Sequence, residues 1–264
     1  MFSFDVEKYF ERIGIDTDAS ELPMTEETLN LLQKAHLYSV PYENFDIIRG
    51  VSLDLTTEAL YSKIVINGRG GISTELNGLF GDLLRAMGFG VNEYLARYIS
   101  DMELPHLKMH RVLEDQTRDG FYICDVGLGC EGPRIALKKE EGLVQTDGFC
   151  EYKLENEPFL GWVIWQRKKM SEWKKLCAFT EEIQLSMDFV PPTFYLEKSA
   201  ASPLNKNVFA AIRTKDGLIV LEEDMFKVHS INHEVRVFCP ETKEDLDSKI
   251  KEYFGIDRRL FKNV

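Results

Sequence analysis

The chain has little that would mark it as a secreted scaffold, a nucleic-acid binder or a membrane protein. Its five cysteines are odd in number and lack framework spacing, so they do not read as disulfide staples. Free thiols in a reducing cytosol are expected. Basic residues are in deficit: 32 Lys and Arg stand against 44 Asp and Glu, a formal charge of −12, with a sequence pI near 5.0. This balance argues against sequence-independent phosphate binding, which needs Lys and Arg. A small anionic ligand in a local pocket stays compatible with it. No apolar run approaches the roughly 18–20 residues of a membrane-spanning helix. The stretch 1–14 is amphipathic and acidic, without the basic and apolar regions of a signal peptide, so a cytoplasmic location is expected. There is no internal repeat and no low-complexity segment.

What is present is an ordinary globular mixture, 44% hydrophobic and 29% charged, over 264 residues. That length supports one large domain or two to three small ones, with no staple required. The first third reads helical. Phe4, Val6, Tyr9, Phe10 and Ile13 recur at helical spacing before Gly14. Thr25 caps a second helix carrying Leu29, Leu31, Leu32 and Leu37, and Thr56 opens a third. The glycine-rich break Gly68–Gly71 leads into a helix with Leu76, Leu79, Phe80, Leu83 and Leu84, ended by Gly88. Beyond Gly90 the pattern becomes strand-like, at 91–99, 110–113, 121–126, 142–146, 151–154, 163–166, 209–214, 218–222 and 235–238. Asp119-Gly120 and Lys215-Asp216-Gly217 read as hairpin turns. Residues 241–254 form a closing helix stopped by Gly255. The expected class is α+β in two or three lobes.

Three features look like sites and have simpler readings. Gly127, Gly129 and Gly132 fit G-x-G-x-x-G, but Pro133 follows where a dinucleotide-binding helix should open. His229 and His233 with Cys239 lack the second close pair of a structural zinc site, so no metal is expected. The basic run Arg167–Lys169 with Lys174 and Lys175 reads as a solvated face, or as a source of positive potential for an anionic cofactor.

Ser73 stands at a helix start after a tight glycine loop. Unpaired N–H groups and the positive dipole end there would stabilise an anion. Taken locally, Ser73 is most simply an N-cap. The wider chain changes this. Arg69 through Phe80 resembles the arylamine N-acetyltransferase motif R-G-G-x-C-x-E-L-N-G-L-F. His36 through Asn44 is similar to that family's H-x₄-P-F-E-N, and Asp125 through Gly129 to its D-V-G-F-G. Leu84–Phe89 with Ala96-Arg97, then Trp173–Phe179 with Asp188-Phe189, follow in the family's order over nearly the whole length.

The resemblance implies a three-part fold: a helical bundle over 1–88, a β-barrel-like domain over 89–196 and an α/β lid over 197–264. It implies a Cys-His-Asp triad of cysteine-protease type, placed at Ser73, His110 and Asp125. His106 competes with His110, but fifteen residues and a hairpin turn separate His110 from Asp125, which sets them on adjacent antiparallel strands. Arg69 and Glu75 would brace the loop. Val126, Gly127, Leu128 and Phe189 would help line the acceptor pocket. Acetyl-CoA would be the co-substrate, with its phosphates near basic side chains or backbone N–H groups. The implied activity is ping-pong acetyl transfer to arylamines, hydrazines or N-hydroxyarylamines, a role in xenobiotic metabolism, by a monomer or weak homo-oligomer. The departure is Ser73 in the cysteine position, with Cys124 the nearest cysteine in sequence; it implies impaired acetylation. Ile72 and Thr74 also depart from the family's commonest residues, which favours natural drift, whereas the intact remainder favours a deliberate substitution. The alternatives are an amide synthase-type acyltransferase and a non-catalytic paralogue that binds CoA or arylamine.

Overall fold

A computed structural model describes residues 2–99, 107–231, 234–258 and 261. The helical part builds one apolar core. Helix Val6–Ile13 is capped by Asp5, whose side chain accepts from the Lys8 N–H, and is ended by Gly14 at φ +73°. Helix Glu26–Ser39 starts at the Thr25 cap. Thr57–Tyr61 runs into a π-helical turn, Ser62–Ile66. These pack Tyr9, Phe10, Leu29, Leu32 and Ile64 against Leu76, Leu79, Phe80, Leu83 and Leu84 of helix Ser73–Ala86. Arg12 ties the layer together. Its guanidinium donates to the carbonyls of Ser39 (2.6 Å), Ile64 (2.9 Å), Arg69 (3.2 Å) and Gly68 (3.4 Å). His36 is fully buried against Tyr9 and Phe80, and burial pushes its pKa down to about 3.

An eight-stranded antiparallel sheet follows. Its order is Leu137–Lys138, Gly120–Cys124, His110–Thr117, Gly90–Tyr98, Lys174–Ile183, Gly161–Lys168, Cys150–Glu157 and Gln145–Thr146. The two outermost strands meet through one side chain. Gln145 accepts from the Lys138 N–H at 2.8 Å and donates to the Lys138 carbonyl at 3.0 Å, which nearly closes the sheet into a barrel. A second sheet runs Tyr42–Glu43, Phe209–Thr214, Gly217–Glu222, Met225–Ser230 and Val235–Phe238. Helix Lys243–Phe254 buries Ile250 and Phe254 against its Phe226. Among the described residues no helix is long and apolar enough to cross a membrane.

The mixed α+β class and most expected elements are present. Four strands and two α-helices lie outside the expectations: strands Tyr42–Glu43, Leu137–Lys138, Lys174–Ile183 and Met225–Ser230, and helices Phe45–Ile48 and Val190–Lys198. The expected 142–146 strand shrinks to Gln145–Thr146. The hairpin turn falls on Arg118 and Asp119, with Gly120 opening the next strand at φ +137°.

Asp115, on strand His110–Thr117, is fully buried, and neither oxygen makes a hydrogen bond of ordinary geometry. Burial pushes its carboxyl up to about pKa 7, opposed only in part by the Cys124 thiol and Arg85. An unfolded Asp titrates near 3.9. Between these values the folded chain holds the extra proton, so this group's contribution is fully present below about pH 4 and is lost as pH rises through 7. Asp115→Asn should therefore gain stability over the parent progressively from pH 4 to pH 8, by about 2–4 kcal/mol at the upper end. Denaturant unfolding at several pH values measures this; a difference independent of pH would contradict it.

Candidate active site

The glycine loop and the start of helix Ser73–Ala86 rest on a buried charge network. Arg69 donates to Glu43 at 2.9 Å and to Asp46 at 3.1 Å. Lys63 reaches Asp46 at 2.8 Å and Glu75 at 2.7 Å. Glu75 in turn accepts from the Ile72 N–H at 3.0 Å. Burial alone would lower the Lys63 pKa, but the carboxylates of Glu75, Glu43 and Asp46 outweigh it and raise it. Arg69 and Glu75 thus clamp the two ends of the turn that delivers Ser73. Ile72 occupies the cap position and Ser73 is the first helical residue, so Ser73 is not the helix cap and Glu75 does the capping.

The opposite wall is set by Asn77, one turn after Ser73. Its amide nitrogen donates to the Arg111 carbonyl (2.5 Å) and to Asp125 Oδ1 (2.9 Å), and its oxygen accepts from the Val126 N–H (2.8 Å). Asp125 Oδ1 also accepts from the Gly127 N–H at 2.8 Å. Gln33 accepts from the Asp125 N–H at 3.1 Å and donates to the Pro133 and Ile135 carbonyls. Two glycines permit this close docking. A Cβ on Gly127 would meet the Ser73 Cα at 2.7 Å, and one on Gly78 would meet the Arg111 guanidinium at 2.5 Å.

His110 opens strand His110–Thr117, and its Nε2 lies 2.5 Å from Asp125 Oδ2. This is the pairing expected from the hairpin spacing; His106 and His233 lie outside the described residues. The bond occupies Nε2 and leaves Nδ1 as the ring's remaining proton acceptor. Ser73 and His110 are both buried, and both line one cavity of about 1020 Å³ between the helical part, the barrel and the second sheet.

Gly127 and Leu128 line this cavity, as expected; Val126 and Phe189 do not. Val126 is packed into the helical core, and Phe189 is fully buried under the Arg111 guanidinium, 4.4 Å from its ring centre. Among the described residues no Lys or Arg lines the cavity, which leaves backbone N–H groups as the other expected surroundings for phosphates. Arg167 is instead paired with Glu151 and stacked on Trp173, and Lys175 is paired with Glu157. The glycines at 127–132 form an irregular turn with no helix after it, and His229 sits within strand Met225–Ser230.

Sequence reasoning missed two cysteines at the site. Cys130 and Cys239 both line the cavity, although Cys124 is the cysteine nearer to Ser73 in sequence. Burial pushes the Cys130 thiol up to about pKa 11, so it offers no thiolate near neutral pH. Also missed were the second-sheet residues Glu222, Glu223, Asp224 and Met225, and the apolar wall formed by Leu196, Leu204 and Phe209. No local motif marks them, because these segments reach the cavity only through tertiary packing.

The comparisons with known proteins agree with this architecture. The family model described as N-acetyltransferase matches residues 25–262. The arylamine N-acetyltransferase of Mycobacterium tuberculosis is 30% identical over 97% of this chain and 90% of its own length. Among solved structures, the arylamine N-acetyltransferase of Salmonella typhimurium superposes with a TM-score of 0.91 at 27% identity, covering 100% of this chain and 94% of that one. The Mycobacterium marinum arylamine N-acetyltransferase in complex with CoA gives 0.86 at 26% identity, over 96% and 93% of the two chains. The fold, the length of the match and the ordered motifs place this chain in the arylamine N-acetyltransferase family.

Proposed function

We propose that the cavity carries out acetyl transfer from acetyl-CoA to an arylamine, hydrazine or N-hydroxyarylamine, through an acyl group held on residue 73. The observation that carries this is the His110–Asp125 pair at 2.5 Å, opening on the same cavity as a helix-start Ser73. A relative solved with CoA supports the donor. His110 takes the proton of the nucleophile as its oxygen attacks the acetyl carbonyl, and returns it to the departing CoA sulfur. It then takes a proton from the acceptor amine as the amine attacks the acyl group, and restores it to residue 73. Asp125 fixes the imidazole tautomer and stabilises its charged form. The N–H groups of Val126 and Gly127 are already occupied by Asn77 and Asp125. Stabilisation of the carbonyl oxygen therefore falls to the first N–H groups of helix Ser73–Ala86.

Serine is the weak point of this scheme. A thiol, with a pKa of about 8.5, can stand as a thiolate beside His⁺ at a helix start, and a hydroxyl cannot. Ser73 favours a second reading, in which the chain binds CoA and arylamine without turning them over.

Ser73→Cys should raise acetylation of a simple arylamine by orders of magnitude, with His110→Ala in the cysteine background returning it to baseline. Steady-state rates and intact mass after incubation with acetyl-CoA give the answer. A folded, CoA-binding Ser73→Cys chain that stays inactive would remove the acetyltransferase reading.

Asn77 acts through Asp125 as a positioning residue. Asn77→Ala in the Ser73→Cys background should lower kcat/KM about ten- to a hundredfold, the worth of a hydrogen bond to a charged group. The loss should fall on kcat with KM for the arylamine unchanged, because Asn77 lies outside the cavity lining and acts on the orientation of Asp125. A matching rise in KM, or a loss of fold, would make Asn77 merely structural.

A further inference from the structure

We propose that the cavity mouth selects acceptors carrying a second, cationic group, and that Glu223 and Asp224 at the tip of a lid hairpin are its specificity determinants. This rests on the acetyl-transfer reading above and names the acceptor class for that site.

The cavity is polarised. Its floor holds Ser73 and His110, and its walls are apolar, with Tyr42, Leu128 and Phe209 among them. Among the described residues its carboxylates are Glu131, Glu222, Glu223 and Asp224, and no Lys or Arg lines it. Two of the four are engaged: Glu222 is paired with Lys227, and Glu131 accepts from the Tyr98 hydroxyl. Among the described residues Glu223 and Asp224 form no ion pair. The other nearby cations do not reach them as partners. Arg213 is buried behind Cys130 and spends its donors on the Gly129 and Gly132 carbonyls. Lys206 is exposed and lies outside the lining.

The hairpin tip is also fixed in place. Glu222 pairs with Met225, so Glu223 and Asp224 are the two turn residues. The Glu223 N–H donates to the Val208 carbonyl at 2.7 Å, extending the Phe209–Glu222 pairing by one residue and tying the tip to the neighbouring strand. Glu223 sits at φ +59°, a conformation that favours glycine. Two exposed carboxylates are thus carried on a fixed backbone at the rim of a cavity that, among the described residues, no Lys or Arg lines. An aryl amine is neutral at pH 7, so these charges act on whatever else the acceptor carries. With its reacting nitrogen at Ser73 and its ring against the apolar wall, an acceptor would place a distal ammonium toward the carboxylates and a distal carboxylate against them.

Isothermal titration of the chain as it stands, with Ser73, against three probes of matched size tests this independently of turnover. The probes are para-aminobenzylamine, para-aminobenzyl alcohol and para-aminobenzoate. The cation should bind about three- to fivefold more tightly than the alcohol, and the anion about as much more weakly, with the spread shrinking in high salt. The double variant Glu223→Gly with Asp224→Asn should collapse the ordering. The glycine suits the left-handed turn and the asparagine keeps the shape of Asp224, so folding is preserved. The same variant should bind CoA more tightly, because its phosphates no longer face the rim; general loosening of the lid would weaken all ligands together. Equal affinities in the parent, or an ordering untouched by the variant, would overturn the proposal while leaving acetyl transfer standing. If none of the three binds, the arylamine-acceptor reading fails and this one with it.

Discussion

One amide, that of Asn77, joins the parts of the molecule that the site requires to meet. It lies a turn beyond Ser73 and satisfies the Arg111 carbonyl, Asp125 and the Val126 N–H together. The helix that presents residue 73 and the strand ends that present His110 and Asp125 are therefore held through a buried polar contact rather than through apolar packing alone. Such contacts are directional, and in a low-dielectric interior they are costly to leave half-made. Arg111 adds a second tie, donating to the Thr74 carbonyl at 3.2 Å while ion-paired to Glu93. Gly78 and Gly127 are the spaces that let both ties close.

Charge is distributed in two contrasting ways around the same cavity. Beneath the glycine loop, the buried carboxylates of Glu43, Asp46 and Glu75 are paired with the half-buried Lys63 and Arg69, and their role is geometric. At the mouth, Glu223 and Asp224 form no ion pair among the described residues. Pairing a charge confines its field; leaving it unpaired makes the field available to a ligand.

Much of the site was legible because its residues belong to short, ordered segments. The hairpin between His110 and Asp125 is local, so once the resemblance pointed to the two residues its spacing favoured His110 over His106 as the partner. The loop-to-helix junction at Ser73 was equally clear from its glycines. What could not be read is what distant segments contribute. Helix Val190–Lys198 begins with Pro191 and Pro192, which break most patterns but are tolerated in a first helical turn. Strand Lys174–Ile183 mixes buried Leu176–Phe179 with charged ends and lacks a clean alternation. Tyr42–Glu43 reads as a turn after a helix and becomes a strand only when Phe209–Thr214 arrives to pair with it. Val126 and Phe189 were assigned to the cavity from position in a motif, and their side chains point into packed interior instead.

The four carbonyls held by Arg12 bear on where the folding unit begins. The family model takes up the chain at residue 25, yet the glycine loop ahead of Ser73 is hydrogen-bonded to a side chain thirteen residues upstream of that point. The opening helix is a splint for the loop rather than an ornament on the bundle. A chain trimmed to the recognisable domain would retain every motif and lose the guanidinium that fastens the carbonyls of the reactive turn.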